Sequence, residues 1–185
     1  MNLRDATPAD YAAILELNRL SVKVLSPLDE AGLRSLAAIA HSIRVVEREA
    51  VQLPTAEASA VEASVGETSV GEISRIAAFV ITVRKGCGYQ SPNFRWFEAQ
   101  YDDFLYLDRI VVAEKARGKG LGQQLYTEMI SQARAAGIPR IALEVDIEPP
   151  NFPSLKFHQK QGFVEVDRFQ PYGAKTVSLQ IKSLH

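Results

Sequence analysis

The glycine-rich stretch from Arg117 to Gly122, which reads Arg-Gly-Lys-Gly-Leu-Gly, has the residue types and spacing of an anion-binding turn. Glycine lets a ligand approach the backbone closely, and the N–H groups of such a turn point outward toward negative charge. Two well-known phosphate loops do not fit. Leu121 stands where a Walker loop needs lysine, and Gln123 stands where a dinucleotide fingerprint needs glycine. The stretch therefore predicts a pyrophosphate site of another kind.

A strand and a helix must hold this turn in place. The apolar run Phe104–Val112 precedes the turn and predicts a strand. Apolar residues then recur every four positions from Leu121 to Ala133, which predicts a helix that ends at Gly137. A helix N-terminus directly after the turn adds partial positive charge to the anion site.

Asn151 opens a second motif, which runs to Phe163. Asparagine is a good N-cap and Pro153 suits a first helical turn, so the motif predicts a short helix. Between the two motifs, Arg140–Asp146 alternates as a strand, with Glu144 on the face opposite its apolar residues.

These motifs together resemble the GNAT superfamily of acyl-CoA-dependent N-acyltransferases. In that family an Arg-x-x-Gly-x-Gly turn binds the pyrophosphate, and an Asn-led helix ends in Gly-Phe. The range Phe104–Phe163 matches the family's cofactor-binding core in order, and Ser26–Glu30 with Tyr89–Phe97 resembles a bacterial subgroup of predicted acetyltransferases. The resemblance implies acetyl-CoA as co-substrate and a primary amine, of a small molecule or a peptide, as acceptor.

The resemblance also implies which residues bind acetyl-CoA. The strand before the turn would align the pantetheine and offer backbone groups to the oxyanion, although a buried core strand would be equally apolar. Arg117 could pair with a phosphate or could be a solvated surface arginine. The implied cofactor-binding residues are Ile110, Val111, Val112, Arg117, Gly118, Lys119, Gly120, Leu121, Gly122, Gln123 and Asn151.

Glu144 and Asp108 are the candidates for the general base. Glu144 matches the position where several members of the family carry a catalytic glutamate; the alternative is a solvent-facing carboxylate on an alternating strand. Asp108 lies beside Arg109 in an otherwise apolar strand, where an unpaired charge would be costly. It could also form a structural Asp–Arg pair or bind the acceptor's ammonium.

His158 is the candidate for the general acid, and here the sequence departs from the family. Many relatives carry tyrosine at this position, whereas an imidazole is mostly neutral at pH 7. His158 could protonate a leaving thiolate if its surroundings raised its pKa. The alternative is a polar side chain that only hydrogen-bonds the cofactor or a helix end.

The bulk composition limits the class of protein. A chain of 185 residues with 46% hydrophobic content suits one domain over 1–185. The net charge of −1 implies no bulk attraction to nucleic acid or to an anionic membrane. We expect no signal peptide, no membrane span and no metal site, since Cys87 is the single cysteine and the three histidines lack ligand-like spacing. The expectation is a cytoplasmic protein.

The remaining segments complete the expected order β-α-α-β-β-β-α-β-α-β-β, which is a mixed α/β fold. The GNAT resemblance implies a mostly antiparallel central sheet flanked by helices. Residues 53–72 repeat a glutamate every five positions, so we expect a disordered acidic loop, with an acidic docking segment as the alternative. The segment Tyr89–Phe97 is expected as a loop whose four aromatics either wall the acceptor pocket or anchor the loop on the core.

Two functions from different classes follow. The first is an N-acetyltransferase that moves an acetyl group from acetyl-CoA to a primary amine by direct attack, since Cys87 lies outside the matched motifs. The second is a non-catalytic acyl-CoA-binding sensor or scaffold, which the histidine at 158 makes credible. Either a monomer or a homodimer is compatible with the sequence.

Overall fold

The computed structural model describes residues 1–21, 25–48, 75–173 and 175–184, so the predicted acidic loop at 53–72 lies outside the described residues. Within them, seven strands alternate with five α-helices, and two short 3-10 turns stand at Pro8–Asp10 and Glu114–Ala116. The strands and helices are β1 (Asn2–Asp5), α1 (Tyr11–Arg19), α2 (Glu30–Ile39), β2 (Ala40–Glu47), β3 (Ile76–Arg84), α3 (Pro92–Gln100), β4 (Leu105–Val112), α4 (Leu121–Ala135), β5 (Arg140–Glu148), α5 (Phe152–Lys160), β6 (Val164–Tyr172) and β7 (Lys175–Ser183).

One mixed sheet carries the fold, with the strand order β1-β2-β3-β4-β5-β7-β6. Neighbouring strands are antiparallel except for β4 and β5, which run parallel. Helices α4 and α5 pack on one side, the first face, with core residues such as Leu125 and Phe163. Helices α1, α2 and α3 pack on the other side, the second face. The expected mixed, mostly antiparallel sheet flanked by helices is confirmed.

Local capping explains where the helices begin. Asp10 accepts the backbone N–H of Thr7 at 2.7 Å, which completes a capping box before α1. Asp29 accepts the N–H of Gly32 at 2.7 Å and so caps α2, which begins at Glu30.

Helix α3 was not predicted, so the expected loop at Tyr89–Phe97 is wrong over most of its length. Ser91 caps the helix and Pro92 occupies its first position, where the missing N–H of proline costs nothing. Phe94 and Phe97, three residues apart, are fully buried on the second face. They serve as core anchors, which was the alternative use of these aromatics.

A β-bulge in β4 decides which side chains face the site. Ile81 pairs with Arg109 and the next residue, Thr82, pairs with Leu107, so Asp108 is one extra residue. The bulge shifts the alternation of β4: Leu107 and Ile110 both pack on the first face although they are three residues apart. Asp108 and Arg109 therefore both project toward the second face.

Strands β4 and β5 part soon after they meet. Their parallel register joins Leu105 with Ile141 and Tyr106 with Ala142, and within the described residues no later pair follows. Both strands nevertheless continue, to Val112 and to Glu148. Beyond these pairs, about half of the backbone N–H and C=O groups of each strand face an opening between the two strands. We call this opening the β4–β5 gap.

Helix α4 depends on its buried side for its stability. Leu125 is fully buried among the first-face core, whereas Thr127 is exposed. We expect Leu125→Ala to lower the free energy of unfolding by about 2–5 kcal/mol, because a cavity remains where the side chain was. Thr127→Ala should change it by less than about 0.5 kcal/mol. Urea denaturation of both variants measures the difference, and equal effects would contradict this account of α4.

Candidate functional site

The glycine turn, Arg117–Gly122, lies between the end of β4 and the first residue of α4. Gly118 and Gly120 have φ angles of 74° and 79°, in the left-handed region that favours glycine. A Cβ at either position would meet no atom within 4 Å, so the space above the turn is open. The turn therefore combines close backbone access with the positive end of a 15-residue helix.

The turn's neighbours hold it from two sides. The Nε of Arg117 donates to the carbonyl of Val112 at 3.3 Å, which ties the exposed arginine back to the end of β4. Gly122 faces the Phe157 ring, and a Cβ there would make an ordinary van der Waals contact of 3.6 Å, so α4 and α5 lie against each other at this point. The side chain of Gln123 accepts a hydrogen bond from Gln161, which links the same two helices.

Asn151 caps α5, as the sequence predicted. Its Oδ1 accepts the N–H of Ser154 at 3.3 Å, and its own N–H donates to the carbonyl of Asp146 at 3.0 Å. The residue is thus fixed beside the end of β5, at one wall of the β4–β5 gap. Its expected contact with acetyl-CoA stays a prediction.

The residues present fit acetyl-CoA. An anion can bind above the open glycine turn, next to the N-terminus of α4. An extended chain with amide groups can form hydrogen bonds with the free backbone edges of the β4–β5 gap. Among the described residues, the two strands form no further hydrogen-bonded pairs with each other there.

Glu144 is partly buried, and protein groups hold both of its carboxylate oxygens. The amide Nδ2 of Asn93 donates to its Oε1 at 2.9 Å, and the hydroxyl of Tyr106 donates to its Oε2. Burial raises the pKa of Glu144 to about 7, and the negative charge of Asp108 acts in the same direction, while the two hydrogen bonds oppose the rise. Glu144 thus has the pKa of a group that can exchange a proton at neutral pH.

Asp108 forms the structural pair that was one of its alternatives. Arg109 donates its Nε to Oδ2 at 2.6 Å, and the hydroxyl of Tyr89 donates to Oδ1. The two side chains of the ion pair are only 6% and 5% exposed. Arg109 continues the network through Nη1 to Oδ1 of Asn18 at 2.8 Å, on α1. Asp108 is committed to an ion pair with a guanidinium, whereas the two partners of Glu144 are neutral, so Asp108 is a weaker candidate for the base than Glu144.

His158 lies in the core of the first face and is 5% exposed. Its Nε2 is hydrogen-bonded to the hydroxyl of Tyr126, and its Nδ1 lies 2.8 Å from the carbonyl oxygen of Ser154. Burial lowers its pKa to about 4, with the Ser154 contact opposing the shift. The general-acid role requires surroundings that raise the pKa of His158, whereas its surroundings lower it. The geometry favours the alternative, a polar side chain that only forms hydrogen bonds.

The structure brings Glu144 and Asp108 together on the second face and leaves His158 on the opposite face. Sequence reasoning missed Asn93, Tyr106 and Tyr89, which hold the two carboxylates. The Ser-Pro start of α3 was the signal that could have placed Asn93 on a helix. No local signal marks Tyr106, because its contact with Glu144 spans 38 residues.

Known proteins share this architecture, and the family follows from the sequence. The model of the acetyltransferase (GNAT) family matches residues 72–163, a range that contains the glycine turn, Glu144 and the Asn151-led helix. Residues 72–163 of the chain belong to this family.

The curated and solved relatives extend the comparison. The chain is 34% identical to an IAA acetyltransferase of Azospirillum brasilense over 71 residues, which span 38% of this chain and 45% of that protein. The match therefore covers less than half of the relative's length.

Two solved structures match almost completely. The ribosomal-protein-alanine N-acetyltransferase of Brucella melitensis shares 20% identity with full coverage of both chains and a TM-score of 0.65. The structure of yncA from Salmonella typhimurium with its cofactor acetyl-CoA shares 18% identity, covers 100% of this chain and 94% of the other, and has a TM-score of 0.63. At these identities the likeness establishes the fold.

Across the described ranges of the chain, none of the helices has the length and apolar character that crossing a bilayer requires.

Burial of His158 makes stability depend on pH. Its pKa is about 4 in the folded state against 6.5 for an ordinary histidine, so the unfolded chain binds a proton first as pH falls. The stability from this group is complete above pH 6.5 and is lost between pH 6.5 and 4, a change of roughly 3 kcal/mol at about 1.4 kcal/mol per pH unit. We expect the stability difference between the native protein and His158→Gln to shrink by that amount from pH 7 to pH 4.

Urea denaturation at both pH values checks this expectation, and the difference between the two proteins cancels other acid-sensitive groups. A difference that does not change with pH would show that the imidazole is not held neutral in the core.

Proposed function

We propose that this protein transfers an acetyl group from acetyl-CoA to a primary amine by direct attack of the amine. The observation that carries the proposal is the combination of the open glycine turn at the N-terminus of α4, the β4–β5 gap and a partly buried glutamate on β5 with a pKa of about 7. Membership of the acetyltransferase (GNAT) family supports it.

The chain's own groups suit the binding of acetyl-CoA, which supplies the activated thioester. The backbone N–H groups from Gly118 to Gln123 would bind the pyrophosphate, with Arg117 and Lys119 adding positive charge at the exposed rim. The free backbone edge of Ile110–Val112 would align the pantetheine and donate to the oxyanion. Asn151 would contact the cofactor from the wall formed by β5.

Glu144 would act as the general base. A base with a pKa near the working pH combines a useful ionised fraction with useful basicity. Asn93 and Tyr106 orient the carboxylate by holding one oxygen each. A proton from the acceptor's ammonium would pass to Glu144, directly or through water, before the amine attacks the thioester carbon.

Among the steps of the proposed reaction, protonation of the leaving thiolate has the weakest candidate residue in this chain. His158 is buried and bonded to Tyr126, on the face opposite Glu144. We therefore propose that the thiolate leaves without help from His158. The same observation favours the second candidate, an acyl-CoA-binding sensor or scaffold without turnover.

The acceptor is proposed as a primary amine of a small molecule or a peptide. Ribosomal-protein alanine and IAA stand in the names of two relatives and belong to those proteins. The charge of Asp108 is balanced by Arg109, so the ionised form of Glu144 gives the second face a negative charge that suits a cationic amine.

Substitution of one glycine tests the cofactor site. We expect Gly120→Glu to lower the affinity for acetyl-CoA at least tenfold, because a side chain and a negative charge enter the anion site. Gly137→Glu is the matched control, since Gly137 also has a positive φ angle, of 67°, but follows the other end of α4. Isothermal titration with acetyl-CoA measures both. Equal losses would attribute the effect to backbone strain and contradict the proposed cofactor site.

The pH dependence of turnover tests the base. The pKa of Glu144 is raised to about 7, so kcat should rise about tenfold per pH unit below 7 and level off above it. Glu144→Gln should lower kcat roughly 10²–10⁴-fold and leave acetyl-CoA binding intact. Thiol release from acetyl-CoA with a panel of primary amines provides the assay. Tight binding without turnover across the panel would favour the sensor or scaffold instead.

A further inference from the structure

Asn93 occupies a position that core packing alone does not explain. It is the second residue of α3 and is 3% exposed. Ser91 caps the helix beside it, and the next residue, Phe94, is fully buried. An amide side chain thus enters an aromatic part of the second-face core, where an apolar side chain of similar volume could pack.

The two ends of this amide have unequal surroundings. Its Nδ2 donates to Oε1 of Glu144 at 2.9 Å, while its Oδ1 is buried and has no hydrogen-bond partner among the described residues. A buried, unpaired carbonyl oxygen destabilises a folded protein, since it has lost its hydrogen bonds to water. Reversing the amide would direct the same oxygen at a carboxylate, so the ionised Glu144 fixes the orientation.

The only side-chain hydrogen bond of Asn93 in the described part of the chain is therefore the one to Glu144, and it comes with a destabilising orphan oxygen. We propose that Asn93 is a positioning residue that holds the ionised carboxylate of Glu144 toward the acceptor amine. The inference rests on the proposed acetyl transfer and deepens it, because it assigns a role to α3.

The other groups around Glu144 cannot replace this contact. From β4, Tyr106 already donates to Oε2, and Asp108 contributes negative charge that disfavours a second carboxylate ion. Tyr89, just before α3, donates to Asp108, and Arg109 is bound to the same aspartate. Without Asn93, Oε1 would lose its donor while the repulsion from Asp108 remained, so the protonated form of Glu144 would gain.

The test replaces Asn93 by leucine, which keeps a similar volume and removes both polar atoms. We expect the pKa of Glu144 to rise by about one unit, which lowers its ionised fraction at pH 6 about tenfold. The midpoint of the kcat–pH profile should rise equally, and kcat should recover at high pH. The KM for acetyl-CoA should not change, and the melting temperature should stay the same or increase.

Two measurements report independently. The carboxyl ¹³C signal of Glu144, assigned by its loss in Glu144→Gln, gives the pKa without any turnover. Thiol release with a primary amine gives the kcat profile.

Two further variants serve as checks. Asn93→Ala is a second variant that cannot clash, and Glu98→Gln is the control on α3, because Glu98 accepts a hydrogen bond from the backbone N–H of Gly86 instead.

A raised pKa of Glu144 with a shifted kcat profile and undiminished stability supports the inference. An unmoved pKa, or a loss of kcat at every pH together with a lower melting temperature, overturns it and makes Asn93 a structural residue. A raised pKa in a protein that acetylates no amine would leave Asn93 holding Glu144 and would count against the proposed function instead.

Discussion

The extra residue in β4 is the constraint on which the second face depends. Without a bulge at Asp108, strict alternation would place Asp108 and Arg109 on opposite faces, and one charge would enter the first-face core. With it, the two charges lie on the same face and satisfy each other in a pair that is nearly closed to solvent. Such a pair is stable only if its remaining polar atoms also find partners. Asn18 on α1 and Tyr89 before α3 supply them.

Desolvation acts on the two central titratable groups in opposite directions. It raises the pKa of Glu144 to about 7 and lowers that of His158 to about 4, since burial disfavours the charged form of each. A tyrosine hydroxyl meets each group, Tyr106 on one face and Tyr126 on the other. The consequence differs: Glu144 comes to titrate near neutrality, whereas His158 stays uncharged there. Of these two groups, it is the one on the second face that can exchange a proton near neutral pH.

Local chemistry was readable from the sequence. The glycine turn, the Asn151 cap and the strands on either side of them were predicted near their observed bounds, since each depends on residues close in the chain. Long-range packing was not readable. The hydrogen-bond partners of Glu144 lie 38 and 51 residues away in the sequence, and the tyrosine partner of His158 lies 32 residues away. Neighbouring residues alone could therefore predict neither the burial nor the pKa of either group. Helix α3 was missed because the aromatic segment Tyr89–Phe97 was assigned to a loop.

The early parting of β4 and β5 also has a mechanical consequence. Seven strands form one sheet, yet its two halves are joined at the centre by just two registered residue pairs within the described chain. The two halves of the sheet are thus joined over only a short stretch of backbone. A molecule lying in the gap with its amides paired to both edges would act as the missing rungs. If acetyl-CoA binds there as proposed, the hydrogen bonds that hold it would also join the two halves of the sheet.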